Sequence, residues 1–345
     1  MDWFTDCAFR QITKEIFEKW GEKDKYDFRL RTEFMNADGY MINPPGVIKH
    51  LMTTKEQAPV IAQIFSGDEE MLLKWFADIQ NKYGKYFAWI ELNMGCPSRN
   101  VMCNGWGSAL LRDRQRSLAI IKKLSWIMKM PFSVKTRTGL DDTDLDEQIK
   151  FLTEVSKYVC MITIHGRTVK QWYTTDGNRD FIYELKSKVD KKCKVIGNGG
   201  IKSYADIEIF KHNLDGVGIG QAAIGNPRIF TPHVPSREEI KETILKHLDY
   251  MIIYERHLQA QLKTYDGILP MPDFLPWTMP IVEKTTLEWI DRPHVLMTEF
   301  RKHLFQYVKW IPWSKEFKQK LCTINEYEPL VAEIQNFFVS CPPLL

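Results

Sequence analysis

Residues 131–168 read PFSVKTRTGLDDTDLDEQIKFLTEVSKYVCMITIHGRT, and they set out the repeating unit of the fold. Phe132–Arg137 and Cys160–His165 are short and rich in β-forming residues, and Asp146–Lys157 between them carries a helical pattern. Strand, helix and strand in that order predict parallel strands joined by a helical crossover. The unit repeats in both directions, with strand candidates at Phe28–Met35, Ala58–Phe65, Tyr86–Asn93, Lys194–Asn198 and Asp215–Gly220. Helical patterns lie between them at Glu69–Tyr83, Arg114–Met128 and Tyr204–Lys211, and an amphipathic helix over 7–20 precedes them all, stopped by Gly21. The expected fold is α/β, a (β/α)8 TIM barrel. Seven strands are legible where the barrel needs eight, so the first strand is expected to end at Met1, with about ten or more residues before it. From Arg237 onward long helical patterns rich in Trp and Tyr take over, interrupted by the Pro-rich stretch Leu269–Pro280. The expected domains are a barrel over 1–235 and a helical domain over 236–345.

The composition fits a large folded core. In 345 residues, 44% hydrophobic and 26% charged, there is enough apolar surface to offset the entropy of ordering, which excludes a disordered chain. The 7 cysteines are odd in number and scattered, with no Cys-x-x-Cys pair, so neither a metal site nor a disulfide framework is expected. The N-terminus has no signal-peptide stretch, and no run of about 18 apolar residues occurs, which predicts a cytoplasmic protein with no membrane partner, expected to be a monomer. The net charge of +3 does not announce nucleic acid. Locally, however, 292–320 holds seven basic residues against two acidic ones, net +5, interleaved with Phe300, Phe305, Tyr307, Trp310, Trp313 and Phe317. These aromatics fit a core-facing stripe at least as well as base stacking, and the basic residues fit contact with RNA phosphates.

In a β/α barrel the chemistry sits at the C-terminal ends of the strands. Here those ends are polar: Gln63, Asn93 before Gly95-Cys96-Pro97, Lys135-Thr136-Arg137, His165-Gly166-Arg167, Asn198-Gly199-Gly200, and Gly218-Ile219-Gly220-Gln221. The last two glycine-rich turns let backbone N–H groups approach an anion, and the loops after the last two strands are the usual phosphate site of barrels. Asn198, Gly199, Gly200, Gly220 and Gln221 are therefore candidates for a phosphorylated cofactor, against the plainer reading of ordinary tight turns. Lys135 and His165 point the same way, toward an electron-rich ring or its phosphate arm. Cys96 is placed to act as a nucleophile or a proton donor, with Cys103 as its competitor in the next loop.

Together these motifs resemble the tRNA-dihydrouridine synthases. The match runs from Met1-Asp2-Trp3-Phe4-Thr5-Asp6-Cys7-Ala8-Phe9-Arg10 through Glu91-Leu92-Asn93-Met94-Gly95-Cys96-Pro97-Ser98 to the C-terminal helices, with Val134-Lys135-Thr136-Arg137, Ile164-His165-Gly166-Arg167-Thr168 and Ile196-Gly197-Asn198-Gly199-Gly200-Ile201 between. The resemblance implies a flavin mononucleotide (FMN) barrel and a helical tRNA-binding domain, reducing uridine to 5,6-dihydrouridine with electrons from NADPH. It implies Cys96 as the donor of a proton to uridine C5, and Met1, Gln63, Lys135, His165, Asn198, Gly199, Gly200, Gly220 and Gln221 around the flavin. It also implies Asn93, Arg137, Gln171 and Tyr173 near the uracil, while the basic stretch 292–320 offers Arg301 and Lys302 as candidates for tRNA contact.

Two features depart from that pattern: the first strand is represented only by Met1, and Gln221 stands where the family commonly has an arginine. Gln221→Arg is therefore expected to tighten flavin binding. Two other readings remain: a flavin barrel reducing a small pyrimidine or enone, and a catalytically impaired RNA-binding homologue.

Overall fold

The computed structural model describes residues 4–172, 174–268 and 293–340. Two compact units divide the chain: Arg31–Leu51 with Ala58–Gly220, and Met1–Leu30 with Met52–Gln57 and Gln221–Leu345.

The first unit is a seven-stranded, wholly parallel sheet of β1 (Arg31–Asn36), β2 (Val60–Phe65), β3 (Phe87–Asn93), β4 (Phe132–Arg137), β5 (Met161–His165), β6 (Lys194–Asn198) and β7 (Gly216–Gly218), paired in chain order. Such an order with helical crossovers gives a TIM-barrel-like α/β fold. The sheet is strongly curled. Arg31 on β1 donates from Nη2 to Thr163 Oγ1 on β5 at 2.8 Å, although four strand spacings of a flat sheet would put these strands about 19 Å apart. Gly218 on β7 faces the same guanidinium, since a Cβ placed there would lie 3.8 Å from Arg31 Nη1.

The outer helices follow from their apolar spacing. The helix Glu69–Tyr83 buries Leu72, Trp75, Phe76, Ile79 and Tyr83, and the Asp68 side chain accepts from the Met71 N–H to cap its N-terminus. The helices Arg114–Ile127, Leu145–Val155 and Arg179–Lys188 likewise bury an apolar face, and Asp113 and Asn178 cap the first and last of them. Strand β1 begins three residues later than the expected start at Phe28, because Phe28 stacks on Phe17 at 4.2 Å and belongs with the N-terminal helix.

In the second unit α1 (Cys7–Trp20) buries Phe9, Ile12, Ile16 and Phe17 and packs against α2 (Arg237–Lys263). A reciprocal capping box of Ser236 and Glu239 starts α2. Among the described residues, the helices α3 (Pro293–Tyr307), α4 (Ser314–Leu321) and α5 (Tyr327–Ser340) follow in the helical C-terminal region. No helix among the described residues is long and apolar enough to cross a membrane.

Candidate active site

Parallel register puts paired residues on one face of the sheet. Asn93 pairs with Lys135, Lys135 with Thr163, Arg137 with His165, and His165 with Asn198. Asn93, Lys135, Arg137, His165 and Asn198 thus form one polar surface at the C-terminal end of the curled sheet. Met1 and Tyr173 lie outside the described residues.

Cys96 is held from both sides. Its N–H and that of Gly95 both donate to Asn93 Oδ1, at 3.0 and 2.9 Å. Its carbonyl accepts from the N–H of Ser108 at 3.0 Å and from Ser108 Oγ at 2.8 Å. The chain between folds back so closely that a Cβ on Gly107, whose φ is +59°, would meet Cys96 O at 2.9 Å. The thiol is half-buried, whereas Cys103 is exposed on the intervening loop. Burial and bracing add to the preference for Cys96 that its spacing gives.

Asn93 also donates from Nδ2 to Gln63 Oε1 at 3.0 Å, and Gln63 donates from Nε2 to Glu91 Oε1 at 2.5 Å. Lys135 stands beside this chain. Burial pushes its ammonium down to about 8, against the attraction of Glu91. Burial, with the nearby Lys135, Arg137 and Arg167 charges, also holds His165 neutral, far below the ordinary imidazole range. Arg167 Nη1 lies 3.1 Å from His165 Nε2 and can only donate, so Nε2 accepts and Nδ1 carries the proton. Gly199 covers the ring at φ +99°, where a Cβ would collide with His165 Cδ2 at 2.5 Å, and Gly200 follows at φ +81°. Asn198 donates to the Gly218 carbonyl at 2.6 Å and ties the last two strand ends together.

Other expected contacts are engaged within the protein. Arg137 is buried and braces two loops, donating to Gly95 O at 2.8 Å and Thr168 O at 3.0 Å. Gln171 accepts from the Thr168 N–H at 3.0 Å and donates to Asp142 at 2.8 Å. Gly220 ends the first unit, and Gln221 opens a 3-10 turn, Gln221–Ala223, in the second. Arg301 donates to the carbonyls of Leu321 and Ile324 at 3.2 and 2.7 Å, which satisfies the C-terminal end of α4. Lys302 is half-buried on α3. Phe300, Tyr307 and Phe317 are buried, while Trp310 and Trp313 are 81% and 56% exposed. Sequence reasoning assigns no role to Glu91, Arg31 or Thr163, although Glu91 heads the motif around Cys96. The signal for Glu91 was its place two residues before Asn93, which in a strand puts both side chains on one face.

A sequence model described as Dihydrouridine synthase (Dus) matches residues 1–340. The chain is 27% identical to tRNA-dihydrouridine synthase B of Pseudomonas aeruginosa over 97% of its own length and 90% of that protein. It is 31% identical to a probable tRNA-dihydrouridine synthase of Rickettsia bellii, covering 73% of this chain and 69% of the relative. A probable tRNA-dihydrouridine synthase 2 of Bacillus subtilis is 29% identical over 79% of this chain and 81% of its own. With fold, strand-end chemistry and a match along nearly the whole sequence in agreement, the chain belongs to the dihydrouridine synthase family.

Proposed function

We propose that this protein reduces uridine in tRNA to 5,6-dihydrouridine, with Cys96 giving the proton to C5, FMN as cofactor and NADPH as electron source. The observation that carries the reading is the half-buried Cys96 thiol on a turn braced at both its N–H and its carbonyl, near the Lys135 ammonium at the strand ends that also carry the neutral His165.

The residues present suit a flavin with a phosphate arm. Gly199 and Gly200 occupy backbone conformations that favour glycine, and a Cβ on Gly200 would lie 3.9 Å from Arg179 Nη2, a cation suited to a phosphate. Gln63, Lys135, His165, Asn198, Gly199 and Gly200 would hold the group, with the His165 Nδ1–H as a donor. Bound there in its reduced form, the flavin supplies hydride for uridine C6. Lys135, still charged at neutral pH, offsets the negative charge that develops on the uracil carbonyl. The Cys96 thiol protonates C5 and is left as thiolate, which regains its proton from solvent. A base within folded tRNA has to be flipped out to reach such a site. On the other unit Trp310, Trp313, Lys309, Lys315 and Lys320 offer exposed rings and cations to RNA, and the Lys309 ammonium sits 4.9 Å from the Trp310 ring centroid.

The test is reduction of an unmodified tRNA transcript by purified protein with NADPH, read as dihydrouridine by mass spectrometry. Cys96→Ala should retain flavin and its reduction by NADPH but lose product by about 100-fold or more. Full activity in that variant would remove Cys96 from the mechanism. A yellow protein that oxidises NADPH on small enones but leaves tRNA untouched would replace the tRNA reading.

A further inference from the structure

The buried polar network behind Cys96 has a direction, and that direction can be derived from its end. The N–H groups of Gly95 and Cys96 can only donate, and both reach the same Asn93 side-chain oxygen. Asn93 must therefore turn its Nδ2 toward Gln63, whose Oε1 accepts it at 3.0 Å. That leaves the Gln63 Nε2 aimed at Glu91 Oε1, 2.5 Å away. Arg31 Nε donates to the same oxygen at 2.9 Å, while Arg31 Nη2 and Thr163 Oγ1 reach Oε2 at 3.2 and 3.1 Å. Four donors converge on a carboxylate with no solvent exposure, so it has to be ionised. Burial works against that charge, but the Arg31 guanidinium, the Lys135 charge and the Gln63 amide together outweigh it and hold the carboxyl below its usual range.

We propose that Glu91 is a positioning residue for uridine reduction: clamped by Arg31, it fixes the orientation of the Gln63 and Asn93 amides and through them the turn that carries the Cys96 thiol. The inference rests on the reading of Cys96 as proton donor. Without an acceptor at 91, Gln63 is free to rotate its amide, Asn93 loses its fixed partner, and the Gly95–Cys96 N–H pair loses its oriented oxygen. Stability is a weak rationale for the pair, since apolar replacements of buried ion pairs are often neutral or stabilising. That property also makes a clean test possible.

The experiment compares wild type with Arg31→Met/Glu91→Leu, which removes both charges together. Each flavin-loaded protein is reduced with dithionite without oxygen and mixed with unmodified tRNA, and flavin reoxidation is followed by absorbance. We expect reoxidation at saturating tRNA to slow by about tenfold or more, because small misplacements of a reacting group carry penalties of this size. The tRNA concentration for half-maximal rate should stay within about twofold, as expected when transition-state positioning alone is lost. Glu91→Gln keeps an oxygen for Gln63 and should recover most of the rate relative to Glu91→Leu. An independent readout needs no flavin: in the apo-protein, alkylation of Cys96 by iodoacetamide, with Cys103 as internal reference, should accelerate by about threefold or more once the turn loosens. Unchanged reoxidation and alkylation in the double variant, with wild type active, would overturn the role of Glu91. So would a rate loss no larger than the fraction of protein that has unfolded or lost flavin. Failure of reduced wild type itself to be reoxidised by tRNA would instead overturn the reading of the activity on which this inference depends.

Discussion

Lys135 is a cation placed where burial opposes its charge. Its amine titrates near 8 when folded and at about 10.4 when unfolded, so between these values the unfolded chain binds the extra proton. Stability therefore rises as pH climbs from about 8 to 10.4, while the charge available to a flavin or an enolate disappears over the same window. Activity is expected to fall above pH 8 in wild type, and Lys135→Met should be slower throughout and lose the part of that limb set by the ammonium, leaving the part set by the thiol; a pH profile of reoxidation by tRNA checks both. Cys103→Ala should keep wild-type turnover, since its thiol is exposed and donates only to the Asn100 carbonyl at 3.4 Å. In the sequence, spacing and the family motif already favour Cys96 over Cys103, and burial with the Ser108 and Asn93 bonds adds what no spacing encodes. Arg137 and Gln171 were legible as polar residues at the site, but not as braces. Their partners are backbone carbonyls, amides and loop side chains whose approach no spacing encodes.

Helices and strands were the most readable level, because apolar spacing and caps are local signals. The helix Glu69–Tyr83 and the strands Phe132–Arg137 and Lys194–Asn198 match their sequence-based bounds. Where bounds shifted, tertiary contact decided: Phe28, with every mark of a strand residue, stacks on Phe17 instead. The same effect divides the basic aromatic stretch. Arg301 is a helix-end ligand, whereas Trp310 projects into solvent. Arg301→Ala should thus destabilise the fold by about 1–3 kcal/mol, read as a lower melting temperature, through carbonyls left without their charged donor. Trp310→Ala should leave melting unchanged and weaken tRNA binding by about 1 kcal/mol or more, measured by filter binding. If Arg301→Ala weakened tRNA binding and spared stability, the assignment would reverse.

For the molecule as a whole, acid is the condition that reaches both units. His165 in one and His247 in the other are buried and neutral, the latter pushed down to about 4 by burial and by the neighbouring His303 charge. Unfolded, each would titrate near 6.5, so below that pH the unfolded chain binds more protons and stability falls. Each histidine contributes a slope of up to about 1.4 kcal/mol per pH unit between 6.5 and 4. The Asp6 carboxylate that faces His247 and His303 adds to the loss only at lower pH, because burial, which would raise it, is outweighed by the two histidines. Melting temperature should drop as pH is lowered from 6.5 to 4, and His247→Asn should flatten the slope. The Arg31 tie across the curled sheet has a further consequence, for the order of folding. Its bond to Thr163 joins residues 132 apart in sequence, a closure that waits on most of the intervening chain. Until β5 is in place, Thr163 cannot complete the donor set around Glu91. Curling the sheet and desolvating that carboxylate are then one event, and a chain stalled before β5 would carry an open, hydrated charge where its core should close.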